Sequence, residues 1–279
     1  MRQAYLVCQS FVLMACLAAC AAQLAPTPAG YPAPATTPTA VPITLAGGGP
    51  KPATVTATSG STMTDSPLYT FHTLTTTTGM LLSYAIVAPD GYDAHKAYPV
   101  LLALPPGGQT RDVVEATLNT VWAATARARG WIVISPVAPN GMLFIDDAAP
   151  LIPELLDRIQ ADYKTEGGKV HLAGISNGGI SAFRAIVDNP TRFGSLTVLP
   201  GFPYSDNETR KLSALKGIPV AMFVGEHDDW LPVMQHTKAT LDGLGVKSTL
   251  TIVPGDGHML RSLTSATVFD VLDAFRTAP

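Results

Sequence analysis

The chain has 279 residues, enough for one large domain or two small ones, and 47% of them are apolar against 14% charged. This composition fills a sizeable core and excludes a wholly disordered chain, while a formal charge of −3 excludes the basic stripe of a nucleic-acid-binding surface and leaves no polybasic membrane patch. The three cysteines, Cys8, Cys16 and Cys20, all lie at the extreme N-terminus, so the body of the chain has no disulfide staple and must take its stability from its core.

Met1 to Ala19 reads as a signal peptide: Arg2 supplies the positive start, Phe11–Ala19 the apolar stretch, and small residues precede Cys20. Gln9 and Ser10 interrupt the apolar run and leave it short of the ~20 residues of a membrane span. The run Leu17-Ala18-Ala19-Cys20 resembles the lipobox of bacterial lipoproteins. That resemblance implies cleavage before Cys20, acylation of its thiol, and loss of Cys8 and Cys16. The expectation is an exported chain held at a membrane surface of the bacterial cell envelope, where each buried CH₂ of the lipid contributes ~0.8 kcal/mol. Residues 20–66 are then the lipidated cysteine and a tether rich in Pro, Thr, Ala and Gly, with Lys51 and Asp65 its charges. Such a composition builds no core and reaches on the order of 100 Å when extended.

Residues 67–279 are expected to form the globular part. Apolar, β-branched runs predict strands over Phe71–Thr77, Leu81–Val87, Val100–Leu104, Ile132–Pro136, Val170–Ala173, Leu196–Leu199, Val220–Val224 and Leu250–Val253. Helical patterns cover Asp112–Arg129, Ile152–Lys164, Gly179–Asp188, Pro232–Leu244 and Ser262–Arg276. The first two strands are separated only by Thr78-Gly79-Met80, which suits an antiparallel hairpin. The later strands alternate with helices, which predicts an α/β fold with a mostly parallel sheet covered on both faces.

The most informative stretch is Lys169-Val-His-Leu-Ala-Gly174-Ile175-Ser176-Asn177-Gly178-Gly179, a G-x-S-x-G between an apolar strand and an amphipathic helix. In that context the serine sits on a sharp strand-to-helix turn with its hydroxyl above the sheet. Gly174 and Gly178 let the turn close, Gly179 lets the helix approach the sheet, and Ile180, Phe183, Ile186 and Val187 give the helix a buried stripe.

A serine hydroxyl needs a base to take its proton and a carboxylate to orient that base. Of six histidines, His227, His236 and His258 follow Ser176. His236 falls in a helical pattern, on the surface. His258, in Pro254-Gly-Asp-Gly-His258 between the last strand and the last helix, is placed to reach back over Ser176. The acid is sought after the preceding strand, in Gly225-Glu226-His227-Asp228-Asp229, with Asp228 the leading candidate and Asp229 and Glu226 its rivals. No second histidine lies at a metal-ligand spacing from His227, so no metal is expected. The oxyanion hole requires two N–H donors, one from Asn177 and one from the loop Pro105-Pro106-Gly107-Gly108. Neither proline has an N–H, so Gly107 or Gly108 must donate.

Together these residues resemble the α/β-hydrolase superfamily over roughly residues 67–279, and most closely its feruloyl-esterase and polyhydroxybutyrate-depolymerase branch. GISNGG, FVGEHDDWLP and GDGH are similar to that branch's nucleophile, acid and base segments. Gly225, Asp228 and Pro232 fall on G-x-x-D-x-x-x-P, which favours Asp228 over Asp229. One departure is Pro105-Pro106, where the branch usually has His-Gly before its oxyanion glycines. The resemblance implies hydrolysis of a small or polymeric ester through an acyl-enzyme, without cofactor. A peptidase or thioesterase on the same three residues, or a non-catalytic binding lipoprotein on a hydrolase scaffold, are the competing classes. The stretch Gly201–Gly217 is too short for a lid domain. Met142, Phe144, Phe202, Tyr204, Trp230 and Met259 are the aromatic or flexible residues near the site, each more often packing than substrate contact.

Overall fold

Val100-Leu-Leu-Ala-Leu104 is apolar at every position, as a strand covered on both faces must be. In the computed structural model, which describes residues 67–276, this strand lies near the middle of an eight-stranded sheet. The signal peptide, Cys20 and the tether, read from residues 1–66, lie outside the described residues. The strands are β1 (Thr70–Thr75), β2 (Leu81–Val87), β3 (Val100–Leu104), β4 (Ile132–Pro136), β5 (Val170–Gly174), β6 (Phe193–Val198), β7 (Val220–Gly225) and β8 (Ser248–Val253). They are ordered β1-β2-β4-β3-β5-β6-β7-β8. β1 and β2 pair antiparallel, β2 runs antiparallel to β4, and all later pairs are parallel. The β1–β2 turn is tightened from Thr76: its carbonyl accepts from Gly79 N–H at 2.9 Å and its hydroxyl from Met80 N–H at 3.0 Å.

Helices α1 (Arg111–Thr117), α2 (Ala123–Arg129), α3 (Leu151–Asp162), α4 (Asn177–Asp188), α5 (Asp206–Lys211), α6 (Leu231–Gly243) and α7 (Ser265–Arg276) cover the sheet. Alternation along the strands sorts the core into two halves. Leu102, Leu104, Leu172 and Met222 pack with α3, α4 and α6, whereas Leu101, Ala103, Ala173 and Phe223 pack with α1, α2 and α7. No helix among the described residues is long and apolar enough to cross a membrane.

In several places the structure departs from or adds to the elements expected from the sequence. Leu118–Trp122, inside the helix expected over Asp112–Arg129, is wound as a π-helix in which Ala123 N–H donates to Leu118 C=O. Such single turns cannot be read from an apolar period. The last helix begins at Ser265 rather than Ser262, because Ser262 N–H and Oγ both donate to Asp256 Oδ2 at 2.9 Å and hold the preceding loop instead. The strand expected over Leu196–Leu199 starts at Phe193, where it pairs with Val170. Within Gly201–Gly217 the backbone forms α5, capped by Ser205 Oγ accepting from Glu208 N–H at 3.2 Å. Ser205-Asp-Asn-Glu208 has the sequence spacing of a capping box, with the Glu208 carboxylate accepting from Tyr204 N–H at 2.7 Å rather than from Ser205 N–H.

His171, on β5, is turned inward against Trp131 and bonds Ser195 Oγ through Nδ1 at 2.7 Å. Burial pushes its pKa down to about 4, so it stays neutral and serves the core.

Candidate active site

β5 is buried along its whole length and ends at Gly174. Two residues later Ser176 takes φ 54° and ψ −119°, a strained conformation for a residue with a side chain. The strain is held from outside, because Ser176 N–H donates to Pro200 C=O at 3.0 Å while its own C=O accepts from Gly179 and Ile180 at 2.8 and 3.1 Å. The neighbouring glycines are obligatory in this geometry. A Cβ at Gly174 would stand 2.0 Å from Gly178 O, one at Gly178 2.1 Å from Leu104 O, and one at Gly179 2.1 Å from Pro200 O. These obstacles are backbone atoms, with no flexible side chain to give way. Gly201 is a further requirement of the same kind, since its Cβ would lie 2.6 Å from the Gly179 backbone.

The turn aims Ser176 Oγ at His258, whose Nε2 lies 2.8 Å away. His258 Nδ1 in turn stands 3.2 Å from Asp228 Oδ1 and 3.1 Å from Oδ2. The structure therefore brings Ser176, His258 and Asp228 into one line of hydrogen bonds. The rival acids are elsewhere: Asp229 is exposed, and Glu226, also exposed, accepts from Gly255 N–H at 2.9 Å through Oε2. Asp228 has a side chain 1% exposed, and its Oδ1 also accepts from Trp230 N–H at 2.9 Å. His227 and His236 are exposed and away from this line.

The acid and base arrive on different strands, and the two loops are stitched together. His227 N–H donates to Asp256 C=O at 2.8 Å, and Glu226 N–H to Val253 C=O at 3.0 Å. Gly225 lets them meet, because a Cβ there would stand 2.1 Å from Gly257 O. The Trp230 ring sits edge-on to His258, centroids 4.6 Å apart, and Phe202 sits edge-on to Trp230 at 4.9 Å. This aromatic pair fixes the imidazole plane from one side.

The loop after β3 carries Gly107 at φ 56° and Gln109 at φ 54°. Gln109 is fully buried, a residue the sequence reading did not single out. Its Nε2 donates to Pro105 C=O at 3.1 Å and to Ser181 Oγ at 3.0 Å, and its Oε1 accepts from Phe144 N–H at 2.7 Å. Its backbone carbonyl accepts from Ala138 N–H at 2.9 Å. Gln109 thus ties the loop to α4 and to the segment after β4. Asn177 Nδ2 donates to Gly107 C=O at 3.0 Å, joining the loop to the residue after Ser176. Among the described residues, the backbone N–H groups of Gly107, Gly108 and Asn177 have no acceptor.

Of the residues expected near the site, Trp230 and Phe202 pack in line behind His258, and Met259 and Tyr204 are largely exposed. Phe144 packs: it is fully buried in the core and reaches the site only through its N–H bond to Gln109. An aromatic flanked by Leu143 and Ile145 is as readily core as contact, and the sequence has no signal that separates the two.

The Esterase family matches residues 149–239, a span from α3 into α6 that includes Ser176 and Asp228 and stops before His258. No curated protein matches the chain by sequence. The structure is similar to a ferulic acid esterase at 15% identity and TM-score 0.56, covering 75% of this chain and 97% of that one. It is also similar to an S-formylglutathione hydrolase from Agrobacterium tumefaciens at 17% identity and TM-score 0.58, covering 74% and 93%. The feruloyl esterase module from Clostridium thermocellum, solved with sinapinate, is 14% identical with TM-score 0.58, covering 75% and 86%. The fold is that of the α/β-hydrolases. In this fold the strand order places the C-terminal ends of β5, β6, β7 and β8 in one row, and Ser176, Asp228 and His258 are carried on the loops that follow β5, β7 and β8.

Proposed function

We propose that the protein is a serine hydrolase that cleaves carboxylic esters through an acyl-enzyme on Ser176. The observation that carries this reading is a serine at φ 54°, 2.8 Å from a histidine nitrogen, with a buried carboxylate behind that histidine. For His258 Nε2 to accept, its proton sits on Nδ1, facing Asp228. As Ser176 Oγ attacks the ester carbonyl carbon, His258 takes the hydroxyl proton and Asp228 stabilises the imidazolium. The carbonyl oxygen becomes an oxyanion, met by Asn177 N–H and by Gly107 or Gly108 N–H. Collapse breaks the C–O bond, and His258 returns the proton to the departing alcohol. Water, deprotonated by the same His258, then releases the acid and restores Ser176.

The test is chemical labelling. A fluorophosphonate probe should form a covalent adduct on Ser176, located by peptide mass spectrometry, and a short activated ester should block it in competition. A wild-type protein that neither takes the probe nor turns over any ester removes the reading.

The same proposal includes export and a lipid on Cys20, supported by Leu17-Ala18-Ala19-Cys20 and the long Pro- and Thr-rich stretch behind it. Intact mass of the mature protein from a bacterial host should show Cys20 as the first residue, heavier by its acyl groups. An unmodified Cys20, or cleavage at another position, rules out the anchor and leaves the hydrolase reading as it was.

A further inference from the structure

An apolar cavity of about 160 Å³ opens beside His258 and the loop after β3, on the face of the sheet covered by α1, α2 and α7. Val121, Ile175, Leu199, Leu260, Leu263 and Val268 give it hydrocarbon walls. Ile175 directly precedes Ser176, and Pro106 closes the side next to the glycines of the oxyanion loop. The cavity therefore adjoins Ser176, which is not itself one of its walls, through Ile175 and His258.

The hydroxyl protons of its wall are already committed. Thr117 Oγ1 donates to Val113 C=O at 2.7 Å, and Thr120 Oγ1 to Ala116 C=O at 2.8 Å, so both hydroxyls are turned back on their own helix. The Ser265 hydroxyl donates to Val121 C=O within the π-helical turn and lies 2.8 Å from Thr125 Oγ1. His258, the remaining polar side chain of the wall, belongs to the Ser176 line. No side-chain hydroxyl proton of the wall is left over for a methoxy oxygen, which can only accept, and a buried acceptor without a partner costs about 1–3 kcal/mol.

Size points the same way. Pockets for drug-sized ligands begin at about 300 Å³, roughly twice this volume. The volume is similar to that of apolar cavities of about 150 Å³ that admit one small hydrocarbon, so it suits a group of a few carbons.

Resting on the esterase reading above, we infer that this cavity is a subsite for a short saturated hydrocarbon chain of the ester, and that methoxylated aromatic groups, whose ether oxygen finds no side-chain hydroxyl donor there, are poorer occupants. The π-helical turn Leu118–Trp122 shapes it by bringing Thr117, Thr120 and Val121 to one wall.

The experiment measures kcat/KM of the full-length protein on two series. One varies the acyl group of p-nitrophenyl esters from two to twelve carbons, and the other varies the alcohol of alkyl acetates from one to eight. Methyl ferulate and methyl pentanoate, which share one leaving group, are the aromatic and aliphatic pair. In one of the two series kcat/KM should rise about three- to fourfold per methylene over the first few carbons and then level off, and methyl pentanoate should be the better substrate of the methyl-ester pair. The series that responds tells whether the hydrocarbon belongs to the acid or to the alcohol. Leu263→Trp, which fills the cavity, should lower the five-carbon to two-carbon ratio about tenfold or more, consistent with several lost methylenes. Val121→Ala should move the optimum to longer substrates. Both readouts are ratios within one preparation, so a loss of folded protein cancels.

A flat response in both series, a preference for methyl ferulate, or a ratio unmoved by Leu263→Trp overturns the subsite while leaving ester hydrolysis standing. Absence of hydrolysis on every ester overturns the esterase reading and the subsite with it.

Discussion

Asp228→Asn is expected to lower kcat on a short activated ester by about four orders of magnitude, with KM nearly unchanged. The carboxylate is almost fully buried and holds two hydrogen-bonded neighbours, Trp230 N–H at 2.9 Å and His258 Nδ1 at 3.1 Å. An asparagine keeps the first of these through its carbonyl oxygen. Toward His258 it presents an NH₂ group, a donor where the imidazole also has a donor. The imidazole then moves its proton to Nε2, facing Ser176, and loses its ability to accept from Oγ. Binding of the ester is untouched, so the loss falls on kcat. Asp229→Asn alters an exposed side chain and should stay within about twofold, as surface changes away from such features generally do. Steady-state kinetics of the two variants, with circular dichroism to confirm the fold, decide the matter. If Asp229→Asn is the damaging change and Asp228→Asn is mild, the acid has been misassigned.

Gly178→Ala should cost stability as well as activity. The added Cβ would lie 2.1 Å from Leu104 O and 2.6 Å from Pro105 O. Both obstacles are backbone atoms at the end of β3, so relief requires α4 to move off the sheet. That motion breaks the Ser176 turn, the Asn177 bond to Gly107 and the Gln109 bond to Ser181 together. Losses above about 4 kcal/mol are the diagnostic range for such a lesion, against a total stability of about 5–15 kcal/mol. The melting temperature should fall by about 10 °C or more, or the protein should fail to accumulate in soluble form. Gly243→Ala is the control: it ends α6 and a Cβ there meets nothing within 4 Å. It should be neutral or stabilising by about 0.5–1 kcal/mol. Equal melting temperatures for the two variants would mean that α4 does not approach β3 this closely.

The sequence by itself determined the parts that rest on local pattern. Runs such as Val100–Leu104 and Ile132–Pro136 are short and almost wholly apolar, so they read as two-face-buried strands and are found as such. Gly174-Ile175-Ser176-Asn177-Gly178 declares its turn because only glycine tolerates the contacts that a strand-to-helix reversal imposes there. The order of nucleophile, acid loop and base loop is likewise visible in the letters.

Tertiary structure alone decided the rest. Asp228, Asp229 and Glu226 are near neighbours in sequence and alike in chemistry. The G-x-x-D-x-x-x-P resemblance favours Asp228, but the physical separation comes from the fold of one loop, which buries Asp228 against His258 and leaves the other two in solvent. Gln109 looks like an ordinary loop residue until the segment after β4 and helix α4 surround it and take up its amide hydrogen bonds. Phe144 goes into the core rather than to the site by the same kind of long-range packing. The π-helical turn Leu118–Trp122 is set partly by Ser265, more than a hundred residues later, reaching back to the Val121 carbonyl. Each of these depends on partners distant in the sequence, and a local pattern carries no information about partners that only the folded sheet brings within hydrogen-bonding distance.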